Sequence, residues 1–263
     1  MKFHPSFDEA LANLLSKDPV AVIVITYSSN QPAWQAQLER RLASAIQLRE
    51  ASAAAVASTR DSSEAAAAGA AGVAATVNLL NATVLTSARV RFLPSLEHAA
   101  FLNLLQHADA VLDPWPFGGG VTSLEALSQG VPVVTLPSRQ SVVQLAAGFY
   151  QRMSSEIEEL KSFEGGTSLG TNSKSERTNG VELRDTPWPI ATNEDHFVEL
   201  AVAIAASMDD NPTSSKANVP QEAHALGLRE VLKRRILATH GVLFEDESAA
   251  EEWTRLLVQL GQN

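Results

Sequence analysis

Three consecutive glycines, Gly118–Gly120, are followed two residues later by Thr122 and three after that by Glu125. Such a stretch can do chemistry without any reactive side chain. Glycines leave the backbone bare, and a helix that starts directly after them presents N–H groups with no internal partner at the positive end of its dipole. A bare loop feeding a helix start is a cradle for phosphate or another anion. Glu125 falls one turn into that helix, where a carboxylate can accept hydrogen bonds from a diol such as a ribose. Thr122-x-x-Glu125 also has the spacing of a capping box, which would give both residues a purely structural role.

The loop needs a strand before it and a helix after it, and the flanking residues supply both. Ala110–Asp113 reads as a strand ending at the loop, Thr122–Gln129 as a short helix stopped by Gly130, and Val131–Leu136 as a buried strand. Upstream, Ser6 with Glu9 has capping-box spacing before Phe7, Leu11, Leu14 and Leu15 at helical period. Val20–Thr26 is a continuous apolar run suited to a strand buried on both faces. Trp34, Leu38, Leu42 and Ile46 mark a helix from about 32 to 48, Arg89–Pro94 a short strand, and Ser95–Gln106 a helix. Downstream come helices at 141–153, from Thr192 through Ile204, at about 221–238 and at 247–261, with Trp253 expected in the core. Pro187–Ile190 reads as a short edge strand. Alternating strands and helices imply an α/β fold, a Rossmann-like parallel sheet of four or five strands flanked by helices. Ligands of such sheets bind beyond the carboxyl ends of the strands, where the glycine loop falls.

Composition narrows the function. Net charge is −10, which argues against nucleic acid or an anionic membrane as partner. There is no cysteine, so disulfides and thiolate metal sites are excluded, and nothing points to secretion. No apolar run approaches the length of a membrane span. An intracellular location, cytoplasmic or nuclear, is the expectation. The six histidines show no paired metal-ligand spacing. In the segment 51–75, 13 of 25 residues are alanine, so it offers few large groups to bury. The chain is therefore read as one lobe, 1–263, with an alanine-rich insertion at 49–85, a Gly/Ser/Asn-rich insertion at 154–186 and C-terminal helices at 220–263.

The block Ala108–Pro137, ADAVLDPWPFGGGVTSLEALSQGVPVVTLP, together with Phe92-Leu-Pro94, Gly148–Met153 and Asn193–Leu200, resembles the C-terminal lobe of the O-linked N-acetylglucosamine transferase and SPINDLY-type glycosyltransferases. That resemblance implies one lobe of the two-lobed GT-B architecture, binding UDP-N-acetylglucosamine for transfer to Ser or Thr of an acceptor protein, with no metal or other cofactor. Lys2 falls where the family has a lysine that reaches the diphosphate. Leu96, His98 and Phe101 fall around the base and ribose, Gly118, Gly119, Gly120, Val121 and Thr122 on the phosphate-binding helix start, and Glu125 on the acidic residue that holds the ribose hydroxyls. The sequence departs from the pattern at Val121, where the family usually has a polar residue, at Ser138, which replaces a glycine, and at Gln144, where arginine is frequent. The facing N-terminal lobe and the tetratricopeptide repeats that usually precede it are not in this sequence, so the alternative is a non-catalytic nucleotide-sugar-binding or interaction module. The family uses both UDP-N-acetylglucosamine and GDP-fucose, and the sequence leaves the donor open.

Overall fold

The computed structural model describes residues 3–28, 30, 32–60, 88–137, 145–164, 186–206, 227–244 and 247–261. The elements are α1 (Pro5–Lys17), β1 (Ile23–Tyr27), α2 (Pro32–Arg60), β2 (Val90–Pro94), α3 (His98–Gln106), β3 (Val111–Leu112), α4 (Val121–Ser128), β4 (Val133–Val134), α5 (Leu145–Glu164), α6 (Glu194–Ala206), α7 (Leu228–Thr239), a 3-10 turn (His240–Leu243) and α8 (Glu247–Gly261). β1 pairs with β2 and β3 with β4, both in parallel. The chain is thus an α/β fold in which strands are joined by helical crossovers. Among the described residues no helix is long and apolar enough to cross a membrane.

Two parallel pairs stand where one continuous sheet of four or five strands was expected. Proline accounts for how short β3 and β4 are. Pro114 follows Asp113 and Pro132 precedes Val133, and neither can donate to a ladder. The pairs still share a core. Phe7, Leu11, Ile23, Ile25, Leu38, Leu42 and Val90 from the first half pack in one cluster with Trp115, Val134, Phe197 and Ile204 from the second. A second cluster gathers Leu105, Ala126, Leu127, Val133, Tyr150, Met153 and Ile236 under α3, α4 and α7.

Local chemistry moves several expected boundaries. α1 begins at Pro5 rather than after Ser6: proline suits the first helical position, and His4 Nδ1 accepts the Ser6 N–H as the cap. The strand β1 starts at Ile23 because Asp18 Oδ1 accepts the N–H groups of Val20 and Ala21, holding them in a turn. It is buried on alternate residues only, with Val24 exposed, so the expectation of burial on both faces fails. Arg89 ties β2 to the end of α1 by donating to the carbonyls of Leu15, Asp18 and Ala21. α3 starts at His98, three residues late, because the Ser95 hydroxyl donates to the Tyr27 carbonyl (3.1 Å) and keeps Ser95 in the connection. α2 continues to Arg60 and α5 to Glu164. Trp253 is 64% exposed on α8 instead of lying in the core.

The outer side of β4 is completed by two different groups. Thr135 donates its N–H to the Pro189 carbonyl and accepts from the Ala191 N–H, with Ile190 bridged in parallel, which is the expected edge strand reduced to one bridge. One step earlier the Tyr150 hydroxyl accepts the Val133 N–H (2.7 Å) and donates to the Val133 carbonyl (3.0 Å). Burial, and secondarily the charge of Asp113, pushes this phenol well above its ordinary pKa, so it keeps the proton it donates. Tyr150→Phe leaves both Val133 groups without their partner. It is expected to cost about 2–3 kcal/mol, measured by urea unfolding; a loss near zero would show that the bonds are replaceable.

Candidate functional site

The glycine loop leaves the carboxyl end of β3 and is held from below. Trp115 is buried, with its ring edge-on to Phe7 (centroids 4.8 Å) and to Phe197 (5.0 Å). Thus Trp115 anchors the loop to α1 and α6. Phe3 forms an antiparallel bridge with Pro116, which brings the start of the chain against the same loop.

Asp113 is the last residue before the loop and only 4% exposed. Its Oδ1 accepts the Gly119 N–H (2.5 Å) and its Oδ2 accepts the Thr135 hydroxyl (2.8 Å). Gly118 is required by close approach: a Cβ there would lie 2.8 Å from both carboxylate oxygens. A Cβ on Gly119 would overlap the Ser123 hydroxyl. Neither Asp113 nor Thr135 was among the residues expected from sequence to form the site.

α4 then starts with Gly120 as its N-cap and no side-chain cap. The capping box that was the structural alternative for Thr122 and Glu125 is therefore not formed. Gly120 O accepts from the Ser123 and Leu124 N–H groups. The Gly119 N–H is taken by Asp113, while those of Gly120, Val121 and Thr122 find no partner among the described residues. Val121 is 71% exposed, and Thr122 is exposed beside it. The uncommitted donors therefore lie one residue further into the helix than a cradle centred on Gly119 would place them.

Glu125 Oε1 lies 3.2 Å from His98 Nδ1, joining the first turn of α3 to α4 across 27 residues of sequence. The two residues that the resemblance places near the ribose are thus in contact with each other. Leu96 lies exposed just before α3. Phe101 is partly buried and packs against the second core cluster, so it supports α3 from within. Arg229 holds the turn between α3 and β3 through Asp109 (2.6 Å) and the Ala108 carbonyl. Lys2, Ser138 and Gln144 lie outside the described residues. Among the described residues no group of three His, Cys, Asp or Glu side chains is placed to hold a metal ion.

No protein-family model and no curated protein matches this sequence. Among solved structures, a mutant of the Thermobaculum terrenum O-GlcNAc transferase is similar to 95% of this chain at 18% identity, with a TM-score of 0.48. The chain spans 33% of the length of that protein.

Proposed function

We propose that this chain is the donor-binding lobe of an O-GlcNAc-transferase-like glycosyltransferase, taking UDP-N-acetylglucosamine for transfer to Ser or Thr of an acceptor protein. One observation carries the reading: the exposed start of α4, whose N–H groups have no partner among the described residues, and the His98–Glu125 pair lie together where the strand β3 ends. A helix start favours a diphosphate, and a carboxylate one turn on favours the hydroxyls of the attached ribose. A leaving nucleoside diphosphate gains negative charge. Preorganised N–H donors at Gly120–Thr122 stabilise that charge without reorganising. By the resemblance, Lys2 would reach the same diphosphate. Acceptor contacts would come from a facing lobe and its repeats.

Calorimetric titration tests the reading. The chain is expected to bind UDP, and Glu125→Ala and Thr122→Ala are each expected to weaken it at least about ten-fold, about 1.4 kcal/mol. No binding of UDP would refute the reading, and unchanged affinity in both variants would refute the site. Preference for GDP over UDP would move the donor to the fucose type.

A further inference from the structure

We propose that Asp113 is a positioning residue for this site: its buried carboxylate sets the loop so that Gly120, Val121 and Thr122, and not Gly119, present N–H groups to the diphosphate. The proposal rests on the nucleotide-diphosphate reading above.

A buried carboxylate is costly unless both oxygens are satisfied, and those of Asp113 are satisfied by groups from two different elements. Oδ1 takes the loop through the Gly119 N–H, and Oδ2 takes the residue that follows β4 through Thr135 Oγ1. The Asp113 N–H itself donates to the Val134 carbonyl (2.9 Å), so the residue is fixed at its backbone as well. The missing Cβ of Gly118 lets the chain close over the carboxylate, and that of Gly119 lets it close over Ser123. Trp115 and the Phe3–Pro116 bridge seat the base of the loop, and the Asp113 side chain sets its glycine end.

The charge of Asp113 works against the proposed ligand. A negative group beneath an anion site repels the anion, most strongly at Gly119, whose N–H it already holds. The carboxylate is therefore present for its geometry. Asparagine can reproduce that geometry, with its carbonyl accepting from Gly119 and its amide facing Thr135 Oγ1, while alanine cannot.

Two measurements decide the matter. In nuclear magnetic resonance of the free protein, the Gly119 amide is expected to exchange slowly in the wild type. It should lose that protection in Asp113→Ala while the amides of α1 and β1 keep theirs. By calorimetry, UDP affinity is expected to fall at least about ten-fold in Asp113→Ala and to equal or exceed the wild type in Asp113→Asn. Protected Gly119 and unchanged affinity in Asp113→Ala would overturn the proposal, and so would an Asp113→Asn as weak as the alanine variant. If Asp113→Ala does not fold, Thr135→Val removes one of the two anchors. It is expected to speed Gly119 exchange and weaken UDP several-fold, and no change in either would equally overturn the role. Failure of the wild type to bind UDP or GDP refutes the proposed function alone, because Gly119 exchange still reports whether Asp113 holds the loop.

Discussion

Arg235→Ala is expected to lower the free energy of unfolding by about 3–5 kcal/mol, read from urea denaturation followed by circular dichroism. The guanidinium lies buried with its centre 3.8 Å from the Trp188 ring, which in turn stacks on Tyr150 at 4.8 Å and 21°. It also donates to the Thr186 carbonyl. Alanine removes the stacked cation, worth about 2 kcal/mol when desolvated, strands the Thr186 carbonyl, and leaves a cavity between α7 and the 186–191 segment. Lysine should recover little, since an ammonium cannot both lie flat on the indole and reach that carbonyl. A loss below about 1 kcal/mol for alanine would mean that the stack contributes no more than a surface contact.

Gly130→Ala is expected to cost about 2–4 kcal/mol by the same measurement. Gly130 ends α4 with φ of 73°, a left-handed conformation that costs other residues about 1–2 kcal/mol. Space compounds the strain. A Cβ there would meet Leu237 Cγ at 2.9 Å and Lys233 Cγ at 3.0 Å, both on α7. The stop of α4 and the seat of α7 are one contact, so the alanine must displace the Leu237 and Lys233 side chains of α7 or push the turn out of its conformation. If Leu237→Ala in the Gly130→Ala background restored no stability, strain alone would account for the loss. If Gly130→Ala cost nothing, the contact would not be there.

The sequence expectations succeeded where a signal is local. Helical period in Phe7, Leu11, Leu14 and Leu15 put those residues in the core, and α8 runs over 247–261 as its apolar spacing implies. The glycine loop between strand and helix was equally legible, because glycine, proline and strand punctuation sit within about twenty residues. Asp113 was not, since an aspartate before a proline looks the same whether it is solvated or buried. Its burial is decided by Thr135, which is 22 residues away. Trp253 failed for the complementary reason: an apolar stripe shows that a helix has a face to cover, and not what covers it. The alternative of a capping box at Thr122 falls because Gly120 takes the cap, and Glu125 meets a partner on another helix.

The Tyr150 hydroxyl has a consequence beyond the stability it contributes. An open strand edge is a template on which an extended peptide, or the same strand of a second molecule, can add itself by backbone hydrogen bonds. At Val133 both template groups are already answered by one phenol, and at Thr135 by the 189–191 segment. A phenol satisfies the backbone as a neighbouring strand would, yet it offers no further ladder on its far side. The β3–β4 pair is therefore closed to growth on that side.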